Sequence, residues 1–310
     1  MPVEISVCAF TGAETLPIQA AQERGFYAAE GLSVHCENAA GSVAQMVGLI
    51  DGGFDIAMTA IDNVIAYNAG QGAATPENPA DLIVFLGCAT DPRPLIARPE
   101  CGTFAALKGA RIAVDAVSTG FSFMLRQLLE DYGLRMQDYE LIPVGNVTAR
   151  WDAVRNGDCA AGLLGKAHAA AAVAAGYTWL RGDPDPWDNY QGGVFTADRR
   201  WAAAHREAVT GFIRATLRGV DWVLAPENAA DLPEMLVRHL PHMNLSAQAA
   251  RRAADELHSA HSILKAGLPI NMEGTRSVLA LRRKYGGPGV PPDALERCLE
   301  PGYREAATRV

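Results

Sequence analysis

The chain has 310 residues, about half of them apolar and about a fifth charged, with 27 Lys and Arg against 35 Asp and Glu for a formal net charge of −8. That length suits two α/β lobes better than one small core, and the acidic balance, with its basic residues scattered, excludes nucleic acid as the main partner. The longest weakly charged run, AHAAAAVAAGYTWL, falls short of the 18 or so apolar residues that span a bilayer, so no membrane insertion is expected and the run is read as a buried helix followed by a strand.

The first 90 residues repeat one unit three times: apolar strand, short polar turn, helix. EISVCAF leads to a helix ending near Gly31, SVHCEN leads to GSVAQMVGLIDGG, and DIAMTA leads to IDNVIAYNAG. This alternation predicts an α/β fold with a mostly parallel sheet covered on both faces. Ligands of such sheets bind outside the carboxyl ends of the strands, where helix amino termini converge. The turns Phe10–Leu16, Ala39–Ser42 and Thr59–Asn63 are therefore the first places to look for a site.

A second unit begins at Leu107. ALKGARIAVDA reads as a strand, and Phe121, Met124, Leu125, Leu128, Leu129 and Tyr132 recur at helical spacing up to a stop at Gly133. YELIPVG, a helix from Asn146 to Asn156, CAAGLL and a helix from Lys166 to Gly176 continue the alternation. After VFTA it ceases. Val209, Phe212, Ile213, Leu217, Val220 and Leu224 form an apolar helical stripe stopped by Pro226, further helices cover Ala229–Leu240 and Ser246–Ala266, and GGPGVPPD is a loop before a last short helix. A helical tail without a sheet of its own packs most simply on the first lobe. The predicted division is 1–96 plus 198–310 for lobe 1 and 97–197 for lobe 2, with crossings near Arg93–Arg98 and Gly193–Ala197 and a hinged ligand cleft between the lobes.

No phosphate loop, dinucleotide fingerprint, zinc-protease helix or Gly-x-Ser-x-Gly elbow is present, and no cofactor is expected. His239 with His242 and His258 with His261 are pairs three residues apart, but two imidazoles alone make a poor site and both pairs lie in the tail, so no metal is expected. Cys8, Cys36, Cys88, Cys101, Cys159 and Cys298 lack paired spacing, and four of them fall in predicted strands as small apolar side chains.

Ser42 to Gln45 match a capping box. Ser118, Thr119 and Gly120, and then Asn146, stand at the starts of later helices. Capping explains all of these residues, and their position at the strand ends also makes them ligand candidates. Glu14, Asp62 and Asp115 each follow a predicted strand. Three acids around one cleft penalise a bare anion and favour a ligand with amine or N–H donors. Lys166 and Arg150 are placed to take a carboxylate or ring acceptor, or else are solvated surface charges. Phe10, Phe121 and Tyr190 are placed to sandwich a flat ligand.

With these pieces in place, the chain resembles the substrate-binding proteins of ABC importers for sulfonates, nitrate, taurine and thiamin pyrimidine precursors. The resemblance is carried by the order of IQAAQERGFYAAEGL, LIDGGFDIAMTAIDN, LKGARIAVD, a helix ending in YGL, WDAVRNGDCAAGLL, AAGYTWL and GFIRATLRGVDWVLAPEN. It implies a periplasmic-binding-protein-like type II fold closing over a small organic molecule. That molecule is planar or zwitterionic: a pyrimidine, aromatic acid, amine or sulfonate. The implied partner is an ABC permease, and the expected state is a monomer. By position the family's binding turns map onto Phe10, Thr11, Glu14, Ser42, Thr59, Asp62, Asn63, Asp115, Ser118, Thr119, Asn146, Lys166 and Tyr190.

Importer components of this kind carry a leader or lipid anchor, and Met1 here is followed almost at once by the first strand. A chain from which a leader has been removed is periplasmic. A naturally leaderless chain is cytoplasmic, which unpaired cysteines favour. The same scaffold hosts leaderless enzymes, including pyrimidine synthases, aromatic desulfinases and dihydroxyphthalate-type decarboxylases, and one of these is the alternative. The cysteine-rich cluster of the pyrimidine synthases is absent, Cys8 lies too early to be a turn nucleophile, and His35 is no obvious base. The leading expectation is a non-catalytic binding protein.

Overall fold

The computed structural model describes all residues except Thr11, Ala89–Pro92, Pro184, His242, Met243, Ala260, His261 and Val310, and the side chains of Ala167, Trp187 and Asp188. Its strands are β1 (Val3–Ala9), β2 (Leu32–Asn38), β3 (Ile56–Ala60), β4 (Leu82–Gly87), β5 (Leu95–Ala97), β6 (Ala110–Val114), β7 (Tyr139–Pro143), β8 (Ala161–Leu163), β9 (Thr178–Leu180) and β10 (Gly193–Asp198). They form two five-stranded sheets, in the orders β2-β1-β3-β10-β4 and β7-β6-β8-β5-β9.

Both sheets obey one rule. Three strands pair in parallel, β1 with β2 and β3 in one sheet and β6 with β7 and β8 in the other. An antiparallel strand follows, β10 beside β3 or β5 beside β8, and it pairs in turn with the outermost strand, β4 or β9. The parallel strands are joined by helices because a parallel crossover needs a dozen or more residues to return the chain to the same end of the sheet.

The chain divides into two compact units, 1–90 with 192–271 and 291–310, and 91–191 with 272–290. These bounds differ from the sequence expectation in three places, each for a reason visible in the pairing. Strand β10 inserts between β3 and β4, so the residues up to Asp198 belong to the first unit. Strand β5 pairs with β8 and β9, so the residues before 97 belong to the second. The helix Met272–Tyr285 also belongs to the second. Lys284 Nζ and the Tyr285 hydroxyl donate to Glu130 Oε2 at 2.8 and 2.6 Å, and the buried Arg282 donates to the Ser118 carbonyl at 3.0 Å while lying 5.0 Å over the Phe123 ring.

In the first unit the long helix Arg206–Leu224 carries the expected stripe: Val209, Phe212, Ile213 and Val220 are fully buried. It lies against the helix Leu16–Glu23, and Phe212 stacks on Tyr27 at 5.5 Å while the Tyr27 hydroxyl pairs with Thr216 at 2.9 Å. Strand β4, outermost in its sheet, is buried at every residue. The segment Leu299–Glu300 covers its edge, through a parallel bridge to Val84 and the Glu300 N–H bonded to the Val84 carbonyl at 2.9 Å. Covering an outer strand in this way removes a template for aggregation.

In the second unit the helix Gly120–Asp131 ends as expected, with Gly133 at φ 84°, a conformation that favours glycine. The Ala-rich helix Lys166–Ala174 departs from expectation. Among its described side chains only Ala169 and Ala172 are buried, and Val173 is 45% exposed. Alanine is a strong helix former whether or not it is covered, so the run reports helix and not burial.

All six cysteines are free. Burial pushes the Cys36 thiol up to about 12 and the Cys298 thiol up to about 11, and raises Cys8 and Cys159 as well. The thiolate is the reactive form. Iodoacetamide at mildly alkaline pH is therefore expected to leave these four unmodified in the folded protein, as peptide mapping by mass spectrometry checks.

Gly219 supplies a test of the helix packing. A methyl group there would lie 2.1 Å from the Pro17 carbonyl oxygen. Alanine is the better helix former by about 1 kcal/mol, but overpacking against backbone costs about 1–3 kcal/mol. Gly219→Ala is expected to lower the urea midpoint, and an unchanged or raised midpoint refutes the close contact.

Candidate functional site

Parallel pairing places the carboxyl ends of β1, β2 and β3 at one edge of the first sheet. The antiparallel β10 begins at the same edge, since Gly193 pairs with Ala60. The residues gathered there are Phe10 and the turn after it, Ala39–Ser42, Thr59–Asn63 and Gly193. Phe10 is 41% exposed, and Thr11 lies outside the described residues. Beyond it the turn closes tightly, with the Thr15 N–H and hydroxyl both donating to the Gly12 carbonyl at 3.0 and 2.7 Å. The Glu14 carboxyl folds back over Gly12, so that a Cβ on Gly12 would meet it at 2.4 Å.

Three predicted residues from this edge form one network. Asn63 Nδ2 donates to Ser42 Oγ at 2.9 Å and to Thr59 Oγ1 at 3.0 Å. The expected capping box does not form. Gly41, not Ser42, is the N-cap of the helix Ser42–Ile50, without a side-chain cap bond. Gln45 is buried and turned inward, donating through Nε2 to the carbonyls of Cys8 at 2.9 Å and Met58 at 3.0 Å. A helix side chain thus ties the ends of β1 and β3 through one carbonyl of each. Asp62 sits in the first turn of the helix Ile61–Asn68, where negative charge is favourable, and is 2% exposed.

The second unit repeats the arrangement. The carboxyl ends of β6, β7 and β8 share an edge with the start of β5, because Leu95 pairs with Leu163. Asp115 follows β6, and its Oδ1 accepts from Thr119 Oγ1 at 2.9 Å and lies 3.9 Å from Arg150 Nη1. Thr119 is the N-cap of the helix Gly120–Asp131, and Asn146 caps the helix Val147–Arg155 by accepting from the Ala149 N–H at 2.9 Å. Ser118 is exposed and its carbonyl is taken by Arg282. Lys166 opens the helix Lys166–Ala174. The buried Tyr190 lies against Phe121, ring centroids 5.9 Å apart.

Arg150 changes the reading of this edge. It is 4% exposed and not a solvated surface charge. Nη1 donates to the Gly145 carbonyl at 3.1 Å, and the buried Nε has no hydrogen-bond partner among the described residues. Desolvation pushes the guanidinium down to about 10, with Asp115 pulling it back up and Arg93 pushing it further down. It stays charged at neutral pH, and leaving a buried charge poorly paired is costly. Asp115, expected to help repel anions, is instead engaged by a hydroxyl and a guanidinium. Arg93, just before β5, lies 4.9 Å over the Phe121 ring. In sequence Arg150 stands four residues after the cap Asn146 but outside the turns mapped as the site, and Arg93 stands only at a crossing. Neither residue follows a parallel strand in a way that marks it.

Of the two histidine pairs, His239 Nε2 meets Glu23 at 2.6 Å and His258 Nε2 meets the Val223 carbonyl at 2.9 Å, and His242 and His261 lie outside the described residues. No helix among the described residues is long and apolar enough to cross a membrane.

Residues 13–230 match the family model described as NMT1/THI5 like. The chain belongs to the NMT1/THI5-like family. Structures of similar fold include the periplasmic nitrate-binding protein NrtA from Synechocystis PCC 6803, at 13% identity and TM-score 0.76, covering 99% of this chain and 88% of that one. They include the periplasmic aliphatic sulphonate binding protein SsuA from Escherichia coli, at 17%, TM-score 0.72 and all of both chains. They also include the alkanesulfonate-binding protein SsuA from Xanthomonas axonopodis pv. citri bound to MOPS, at 16%, TM-score 0.72, covering 96% and 98%. No curated protein matches in sequence. At these identities the likeness shows the fold, so this NMT1/THI5-like chain has the periplasmic-binding-protein fold that its sequence resembled.

Gln45 provides the test of this geometry. Gln45→Leu removes the two buried bonds to the Cys8 and Met58 carbonyls and is expected to cost about 1–3 kcal/mol. Urea denaturation checks it, and full retention of stability would refute the tie between β1 and β3.

Proposed function

We propose that this chain is the solute-binding component of an ABC-type importer, capturing a small organic molecule that carries an anionic group. The observation that supports this reading most is Arg150: a buried guanidinium with one unpaired nitrogen, at a sheet edge where helix amino termini also gather. A bound oxyanion supplies an acceptor for the Arg150 Nε and a closer negative charge than Asp115 at 3.9 Å. Family membership and the fold shared with nitrate- and sulfonate-binding proteins support the same reading. Of the ligand classes drawn from sequence, this favours aromatic acids and sulfonates over amines and neutral pyrimidines.

The solute contacts we infer are Phe10, Thr11, Glu14, Ser42, Thr59, Asp62 and Asn63 from the first unit. From the second they are Asp115, Ser118, Thr119, Asn146, Lys166 and Tyr190, with Arg150 added. Capture for import takes place outside the cytoplasmic membrane, facing a permease, so the reading entails export of the protein. The partner is that permease, and the chain acts as a monomer with no cofactor.

The test is isothermal titration of the full chain with sulfonates, carboxylates, amines and pyrimidines, after native mass spectrometry has identified any retained molecule. Anions are expected to bind one per chain, and Arg150→Met to weaken them by roughly a hundredfold, as loss of a charged hydrogen-bonding partner implies. Binding of amines or neutral pyrimidines alone would overturn the anion assignment. Turnover of a bound acid, followed by mass spectrometry of the mixture, would overturn the importer reading in favour of an enzyme on the same fold.

A further inference from the structure

The carboxyl edge of the first sheet holds hydrogen-bonding capacity that its own network leaves over. Asn63 Nδ2 gives its two protons to Ser42 Oγ and Thr59 Oγ1. Each hydroxyl is therefore an acceptor in that network, and its own proton is left to be donated elsewhere. Among the described residues neither hydroxyl donates to an acceptor, and Thr59 is 4% exposed, so bulk water does not take up its proton.

Gln45 carries the opposite need. The Cys8 and Met58 carbonyls hold its Nε2, so turning the amide round would set oxygen against two carbonyl oxygens. Oε1 is then a buried acceptor without a partner among the described residues, on a side chain 1% exposed. A buried acceptor left without a donor is costly. Gln45 lies on the first turn of the helix that Ser42 opens, and its partner Met58 immediately precedes Thr59. The unmet acceptor and the two spare protons thus belong to one corner of the edge.

That pattern sorts chemical groups. A carboxylate placed there takes the hydroxyl protons but leaves Gln45 Oε1 facing another oxygen. An ammonium meets Gln45 but leaves the hydroxyl protons without an acceptor. A hydroxyl or a primary amide donates and accepts at once.

We propose that the solute carries, besides its anionic group, a hydroxyl or primary amide bound at this corner, donating to Gln45 Oε1 and accepting from Ser42 and Thr59. The inference rests on the anion reading above for the charged group, while the chemistry of the corner is read from the first unit alone. A site built to hydrogen-bond such a group rejects the analogue that lacks it, because the buried partners are then left unpaired.

The experiment titrates the full chain by calorimetry with straight-chain carboxylic acids of three to six carbons, as the plain acids and as their ω-hydroxy, ω-carbamoyl, ω-amino and ω-carboxy derivatives. At least one ω-hydroxy or ω-carbamoyl acid is expected to bind roughly tenfold more tightly than the plain acid of matching length, the scale of two net hydrogen bonds. It is also expected to bind more tightly than its amino and carboxy counterparts. Thr59→Val keeps the shape and removes the hydroxyl, and is expected to reduce the preference roughly threefold, whereas Thr59→Ser keeps it. If Thr59→Val loses its far-ultraviolet circular dichroism, Ser42→Ala, at a half-buried position, serves in its place. Plain acids that bind as tightly as every derivative would overturn the inference and leave the anion reading standing. So would a preference confined to the amino or dicarboxylic acids, or one that survives in both variants. Failure of every acid to bind would overturn both.

Discussion

The functional geometry depends on parallel pairing. Once β1 pairs in parallel with β2 and β3, and β6 with β7 and β8, each return connection needs a helix, and each of those helices starts at the carboxyl edge of its sheet. Helix starts leave backbone N–H groups unsatisfied. Polar side chains such as Thr119 and Asn146 satisfy some of them, and the rest give each edge a positive character. The inserted antiparallel strands extend the same edges, which is how Arg93, on the chain just ahead of β5, comes to lie with Phe121.

The two units answer the same topological problem with different chemistry. In the first, the edge is held by neutral groups: the Asn63 amide joins Ser42 to Thr59, and the Gln45 amide joins Cys8 to Met58. In the second, it is held by charges, with Asp115 3.9 Å from Arg150 and both Asp115 and Arg93 close enough to act on the Arg150 guanidinium. A buried neutral network gains rigidity when its partners are satisfied. A buried charge whose Nε meets no acceptor among the described residues stays poised for one more partner.

The rest of the structure keeps these edges rigid. The helix Arg206–Leu224 and its apolar stripe back the first sheet, and the segment Leu299–Glu300 seals β4. In the second unit the helix Met272–Tyr285 braces Gly120–Asp131 through Glu130, and through Arg282 it fixes the Ser118 carbonyl beside the cap Thr119. A distant stretch of sequence therefore positions the very turn that holds Asp115.

By itself the sequence determined the alternation of strands and helices, the turns that follow β1, β2, β3 and β6, and the caps at Thr119 and Asn146, because these follow from periodicity and local hydrogen bonding. It did not determine that Gln45 turns inward and Gly41 takes the cap, since that depends on carbonyls supplied by β1 and β3 from elsewhere in the chain. Nor did it determine that β5 and β10 insert antiparallel, that Met272–Val290 joins the second unit, or that Arg150 is buried beside Asp115 and Arg93. Those are long-range pairings, and a charged residue reads the same in sequence whether water or protein surrounds it. Only the tertiary structure decides what its charge faces.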